Sequence, residues 1–596
     1  MTAFIARLKQ RKLVQWALAY IAFAFALVQV ADVVAGSYHW PDGVMHLLFG
    51  LLALGFVVAL LLAWYHGEQG RQRASGTELL LIALVLAVGG GLLWRFARVG
   101  PNHGDSADAQ VPVDRAASAP ALARSGSATA DIPAKSVAVL PFVNMSGDPK
   151  NDYFSDGITE EILDALAQVP NLKVAARTSA FAFKGKAEDL RKVGEVLDVA
   201  TVLEGSVQKS GDEVRITAQL IDTRSGYHLW SEKYDRKLTS IFAVEDEISK
   251  AIADKLQVQL AGGNGQSLVA QKTVDPRAHD FYLRGLPLIA ARGPALREAV
   301  ADFQQAVAID PGYAQAWGAL AEAQLLLPHY FLEPQDIAVP AGAAAARRAL
   351  EIDPDVASAY VALGMHYRVQ WKWQDADAAF RKALKIAPGD AEAADQYGQY
   401  LLGAGRLQDA LAEIERAQKL DPLSGIIGVT RANVLTALHR FDDATVQAHR
   451  VTELRPDYAL GHFVAADVAI YRRDYTEAKA QLDTGARIAG ENPDLYSRLV
   501  DGIADPAKRA AAREAVVTAT ADARQRLTRT ARIKWLMLLG DRDDALEVLQ
   551  GVGHELMFGQ DNVWQPAFDP IRNDPRFKAV LKKMGLPYKA AENTHG

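Results

Sequence analysis

The sequence predicts a multi-domain chain in three structural parts: a bundle of three transmembrane helices, a small α/β domain and an all-α solenoid of paired helices. Three observations predict it. Long apolar runs fill the first hundred residues, short alternating runs with turn residues follow between 135 and 261, and prolines recur at a fixed interval beyond 350. The chain has 596 residues, enough for several domains of ~100–200 residues each. Its 65 basic and 71 acidic residues give a net charge of -6, which argues against a nucleic-acid partner, since such domains carry a basic surplus. It contains no cysteine, so a disulfide framework and thiolate metal sites are excluded.

The membrane bundle is placed in residues 1–99, with helices at about 13–34, 44–65 and 77–96. A spanning helix needs ~17–25 apolar residues, which the first two runs supply. The third, with Gly89-Gly90-Gly91, needs its flanks, where Arg95 and Arg98 can snorkel. Trp40, Trp64, Tyr65 and Trp94 stand at run ends, where amphipathic rings favour the lipid boundary. Arg7, Lys9, Arg11 and Lys12 precede the first run, the first link has no Lys or Arg, and the second carries Arg71 and Arg73. This charge pattern puts the N-terminus inside and everything after the third span outside. Asp32, near the outer end of the first run, is expected to be a solvated interfacial acid. Residues 100–134, rich in Ala, Ser, Pro, Asp and Gly, form a flexible linker.

The α/β domain is assigned to residues 135–261. Ser136 to Val143 is a short apolar run expected to be a buried strand. A helix is predicted from about Asp156 as N-cap, with Glu160 and Glu161 near its positive end and an apolar stripe of Ile158, Ile162, Leu163, Leu166 and Val169. A strand at Leu172 to Ala175 and an amphipathic helix at Asp189 to Val199 follow. Thr201 to Lys209, the alternating stretch around Val214 to Leu220, and Tyr227 to Tyr234 form a three-stranded meander, and a helix over Ile241 to Leu260 closes the domain. Gly262-Gly263-Asn264-Gly265 opens a hinge at 262–279; it follows a helix, not a strand, and lacks the Lys-Ser/Thr of a phosphate loop. The acids Asp148, Asp152 and Asp156 lack the spacing of a calcium loop and read as turn and capping residues.

Five motifs in this region carry a family resemblance: Ser136-Val-Ala-Val-Leu-Pro-Phe142, Asn144-Met-Ser-Gly-Asp-Pro149, Tyr153-Phe-Ser-Asp-Gly-Ile-Thr-Glu-Glu-Ile162, Leu203-Glu-Gly-Ser-Val207 and Leu229-Trp-Ser-Glu-Lys-Tyr-Asp235. Lys135 to Leu260 thereby resembles the TolB-like amino-terminal domain. In that family the domain often stands between an output module, a winged helix or nucleotide cyclase, and tetratricopeptide (TPR) repeats. Here a membrane bundle takes the place of the output module, and a solenoid follows where TolB has a propeller. The resemblance implies an envelope or periplasmic adaptor module without catalytic residues.

The solenoid is assigned to residues 280–493. Pro354, Pro388, Pro422 and Pro456 are spaced 34 residues apart, the TPR period. Pro311 lies 43 residues before Pro354, which implies an insertion around Pro328 to Pro340. Tyr360, Leu363, Gly364, Tyr367, Ala376, Phe380, Ala383 and Pro388 occupy the pattern positions of one repeat, with Gly364 small where two helices touch. Trp317 belongs to the pattern, while Trp371 and Trp373 fall in a turn and are expected to pack between repeats. The first helix of each repeat lines the concave side. Pattern positions therefore place Val361, Met365, Arg368, Glu392, Asp395, Gln399, Asn433 and Asp467 in a protein-binding groove. It lacks the Lys and Arg set that clamps acidic tails, so an extended or helical peptide is the expected ligand. Residues 494–596 hold degenerate repeats, and Phe568-Asp-Pro-Ile-Arg-Asn-Asp-Pro-Arg-Phe577 with Met584-Gly585-Leu586 resembles the tail of TolB-like/TPR proteins, expected to cap the solenoid's open end.

No H-E-x-x-H, P-loop, G-x-S-x-G or metal-spaced His pair is present, so no enzyme activity, cofactor or metal is expected. The expectation is a scaffold of the bacterial inner membrane, multi-pass, with a cytoplasmic N-terminus and a periplasmic soluble region. Its partners would be proteins or peptides and the lipid bilayer, not nucleic acid, and a homo-oligomer is left open. The alternative is a sensory or regulatory membrane subunit that passes a periplasmic signal to a cytoplasmic or membrane partner.

Overall fold

The computed structural model describes residues 132–186, 188–237, 241–256, 275–519, 527–553 and 562–588. The three expected spans, the linker up to residue 131 and the Gly262–Gly265 hinge lie outside the described residues. No helix among the described residues is long and apolar enough to cross a membrane.

A small α/β region comes first. Strand β1 (Ser136–Val139) lies parallel to both β3 (Lys173–Ala175) and β4 (Thr201–Ser210). The short β2 (Val143–Asn144) also pairs with β4. β4, β5 (Glu213–Asp222) and β6 (His228–Lys237) form the antiparallel meander, so the path across the sheet is β3-β1-β4-β5-β6. Helix α1 (Asp152–Ala167) covers one face with Ile158, Ile162 and Leu166. The short α2 (Arg177–Phe181) was not anticipated. Helix α3 (Leu190–Leu197), capped by the Asp189 side chain, covers the other face with Val193 and Leu197 against Ala138, Ala175 and Val202. Helix α4 (Ile241–Lys255) packs on β6 and α1 through Val244, Ile248 and Ile252.

The start of α1 corrects the sequence expectation. The Asp148 carboxylate accepts from the Lys150 amide, Pro149 opens a 3-10 turn, and the chain runs from that turn straight into the helix. Asp156 is therefore inside α1 and buried, and its carboxylate pairs with Lys184 at 2.5 Å. Glu160 and Glu161 stand in the middle of the helix, not at its positive end.

The rest is a helical solenoid of TPR type. Helix pairs α5 (Pro276–Ala291)/α6 (Ala295–Ile309) and α7 (Ala314–Leu326)/α8 (Gln335–Ile352) lead. Then come α9 (Ala357–Val369)/α10 (Trp373–Ile386), α11 (Ala391–Gly403)/α12 (Leu407–Leu420), α13 (Gly425–Ala437)/α14 (Phe441–Leu454) and α15 (Ala459–Tyr471)/α16 (Tyr475–Ala489). The small residue in each first helix marks a close approach. A Cβ on Gly364 would fall 2.7 Å from the Phe380 ring, and one on Gly398 would fall 2.4 Å from Ile414. The insertion is a 3-10 turn (Leu327–Tyr330) followed by the 18-residue α8. Shorter pairs, α17 (Pro493–Ala504)/α18 (Arg509–Thr518) and α19 (Arg529–Leu538)/α20 (Arg542–Gln550), continue the stack before a 3-10 turn (Pro566–Ile571) and α21 (Pro575–Lys583).

The C-terminal segment does more than cap an end. It packs on α19 and α20, and it also folds back over repeats from 373 to 439. The Trp564 indole donates to the Gly403 carbonyl at 3.0 Å. Its ring lies over Gly405, whose φ of +78° and missing Cβ leave room that any side chain would fill. Trp373 Nε1 donates to the Met584 carbonyl at 2.7 Å, so this aromatic packs against the tail as well as against the Tyr400 ring of the next repeat. Trp317 is half-buried and donates to the Pro311 carbonyl.

Candidate functional site

Helix α1 is apolar on two sides, so it is clamped between the sheet and the first solenoid helix. Gly157 permits this: its Cβ position falls 2.8 Å from Leu283 of α5. Polar bonds lock the rest of the seam. The Gly389 amide donates to the Ala167 carbonyl at 2.9 Å, and the Ala176 amide to the Leu420 carbonyl at 2.8 Å. Buried Asp421 accepts from both the amide and the hydroxyl of Ser179, at 2.9 and 2.5 Å. Tyr153 and Lys209 both reach Asp280 of α5, at 2.6 and 3.1 Å.

Between these contacts the seam forms a half-open cavity of about 1380 Å³. Glu160, Glu161 and Asp164 of α1 form one wall, and Glu322, Asp390 and Glu392 of the repeats form the facing one. Cations partly neutralise it: Arg177 pairs with Glu160 and Arg292 with Glu392, each at 2.7 Å, and Lys382, Lys385 and Arg455 line the cavity as well. The carboxylates left over are driven towards their protonated form. Burial pushes Glu161 up to about 7, against a hydrogen bond with Tyr282. Glu322 rises to about 8 through burial and the Glu392 charge, and Asp390 to about 6 through burial. Asp164 keeps contact with the cavity's solvent. Its enclosure by the walls, with the charges of Glu160 and Glu161, still holds it well above the carboxylate range. For Glu392 burial acts upward, but Arg292 and Gln396 hold it below its ordinary value. Behind Glu161 lies Glu245 of α4, fully buried, with neither carboxylate oxygen hydrogen-bonded; burial and the Glu161 charge raise it well above its ordinary value.

Of the eight residues that the repeat pattern places in an open groove, only Glu392 lines this cavity. Val361, Met365, Arg368, Asp395, Asn433 and Asp467 are buried, and Gln399 is half-buried. Around these residues the chain packs its own segments. At one end the insertion turn brings His329 close to the Arg368 charge, and Tyr330 reaches the cavity wall. Arg368 reaches Gln399 at 3.4 Å, and Gln399 donates to Asp395 at 2.8 Å. At the other end Gln565 donates to the Asn433 carbonyl at 3.2 Å, and Lys534 of α19 forms a buried ion pair with Asp467 at 2.8 Å.

The arrangement is suited to binding. Glu161 and Glu322 hold protons near neutral pH and give them up to an incoming positive charge. Among the described residues no group of three or more His, Asp or Glu is gathered as a metal site. Glu161, Asp164, Glu245 and Glu322 were missed by the sequence reading. A signal existed for the first two: they interrupt a helix that is apolar on both sides of them, a pattern that fits a wedged helix better than a surface one.

No family model matches the chain. A curated protein of Rhizobium meliloti (strain 1021), "Putative adenylate cyclase 3", is 45% identical over 212 residues. That match takes in 35% of this chain and 36% of the relative, so the chain spans about a third of the relative's length. The solved structure of YrrB, a TPR protein with an unusual peptide-binding site, aligns at 24% identity with a TM-score of 0.24, over 31% of this chain and 91% of its own. A human IFIT1 dimer with PPP-AAAA aligns at 14% identity with a TM-score of 0.37, over 57% of this chain and 77% of its own.

Proposed function

We propose that the protein is a membrane-anchored adaptor of the bacterial envelope: three spans within residues 1–99, a TolB-like domain at 135–261 and TPR repeats at 280–493, holding partner proteins on the periplasmic side. The observation that carries it is the seam cavity, a binding-sized space whose two walls come from two domains. Its surplus of carboxylates favours a partner segment that carries Lys or Arg, whose charge would draw off their protons. Membrane anchoring and orientation rest on the apolar runs and the Lys/Arg distribution of the sequence.

The test is co-purification of the full chain from detergent extracts, with mass spectrometry of bound proteins, beside an Asp164→Asn/Glu322→Gln variant. Both changes keep side-chain shape and remove the acids. Partners lost from the variant, with the melting curve unchanged, support the cavity. An identical partner set moves recruitment elsewhere, and a chain that holds no protein at all sinks the adaptor. Alkaline phosphatase fused after Gly100 should be active, and fused after Arg73 inactive; the reverse overturns the orientation.

The relative named as a cyclase favours a second reading, a regulatory subunit that passes an envelope signal to a membrane or cytoplasmic partner. Purified full chain given ATP and magnesium should form no cyclic AMP. Its formation would replace the adaptor with an enzyme.

A further inference from the structure

Strand β6 ends the sheet, and its outer edge pairs with no strand among the described residues. Eight of its ten residues are exposed, and it is as long as the central strands β4 and β5. A bare edge of this length is a template for another strand, and proteins usually guard such edges with charge. The charges in the middle of β6 alternate in sign, Glu232, Lys233, Asp235, Arg236, with Tyr234 between the pairs and Lys237 after them. The open face beside them is polar, with Arg215 and Asp235 paired across β5 and β6 at 2.6 Å.

We propose that β6 is a homodimer interface, at which two copies of this chain join their sheets edge to edge about a two-fold axis normal to the sheet through Tyr234. The register follows from the sequence. Such an axis keeps each side chain on its own face, so it must pass through a residue. Within the charged stretch, an axis on Glu232, Lys233, Asp235, Arg236 or Lys237 sets that residue against its own like charge. An axis on Tyr234 instead sets Lys233 opposite the partner's Asp235 on the open face. It also sets Glu232 opposite the partner's Arg236 on the face under α4, and each pair occurs twice. Opposite charges directly across a strand pair attract and like charges repel, so the pattern both selects one register and rejects its neighbours. In the single chain Arg236 pairs with Glu247 at 3.2 Å, and Asp235 with Lys233 at 3.5 Å and Arg215 at 2.6 Å, all exposed pairs that a second copy can rearrange at little cost, while Glu232 accepts from the Tyr234 hydroxyl at 3.2 Å.

The absence of cysteine makes a direct test clean, since introduced thiols are the only ones. Full-length chains carrying Lys233→Cys and Asp235→Cys are co-expressed, kept in membranes and mildly oxidised. A covalent dimer of the mixed pair is expected, with little from Lys233→Cys alone, whose thiols stand two residues apart along the strands. No covalent mixed dimer, or equal trapping by Lys233→Cys alone, overturns the register. Charge reversal gives the second arm. Lys233→Glu should weaken detergent-solubilised dimer by about tenfold in dissociation constant, and Lys233→Glu with Asp235→Lys should restore it. Lys233→Glu without effect, or a double variant that stays weak, overturns the interface even if other surfaces hold two copies together.

Discussion

Glu245 shows what one buried acid does to stability. Its folded-state pKa is raised by burial and by Glu161, so the fold favours the protonated carboxyl, while the unfolded chain ionises near about 4.3. Its contribution is therefore complete below that pH and is lost as pH rises, by about 1.4 kcal/mol per unit until the folded-state value is passed. Glu245→Gln keeps the shape without the proton. Melting curves of variant and parent should lie close at pH 5 and separate by pH 8 with the variant more stable; a constant gap across that range contradicts the assignment. The Lys534–Asp467 pair makes a second prediction. Lys534→Ala takes the cation from a buried carboxylate and should cost about 3–5 kcal/mol in denaturant unfolding, whereas Lys534→Met with Asp467→Leu should recover most of it. A single variant that unfolds like the parent would show the pair to be solvated. Glu245 and Lys534 escaped the sequence reading. The repeat pattern assigns Asp467, Met365 and Arg368 to one face of the first helices, because helical spacing is local information. What covers that face comes from residues as far away as 534 and 565, and no local pattern encodes it.

Helices were the most legible part of the chain. The first helices at 357, 391, 425 and 459 start at intervals of 34, because each repeat is one packing unit copied along the stack. Gly364 faces Phe380 as its pattern position demands. Gly364→Leu should overpack that contact by typically ~1–3 kcal/mol and lower the thermal midpoint, while Gly364→Ala, with one carbon to fit, should cost less. Equal melting of all three proteins would mean the helices separate freely there. Helix starts were less legible. The helix at Asp152 begins four residues before the expected Asp156, since Asp148 and Pro149 together nucleate it and several acids compete as caps. The meander was read to within a few residues, as alternation over five or more positions admits little else.

At the scale of the described region from 132 to 588, the α/β part and the repeats share a hydrophobic core and a hydrogen-bonded seam. Calorimetry should show them melting together. Asp421→Ala removes the acceptor for both Ser179 bonds and should separate a lower-temperature transition from the main one; a single transition at the parent's temperature would show that apolar contact alone joins them. This union was not legible, because a sequence displays each domain's own period but not the fit between them. The folded-back tail has a consequence in time. Trp564 closes over Gly403 and Gly405, and Met584 receives Trp373, yet those recesses are synthesised some 160 to 210 residues earlier. While the ribosome is still making the intervening repeats, the recesses stand open and apolar on the nascent chain. They are open to a chaperone for that interval, and a stop codon placed after residue 553 would leave them so for the life of the protein.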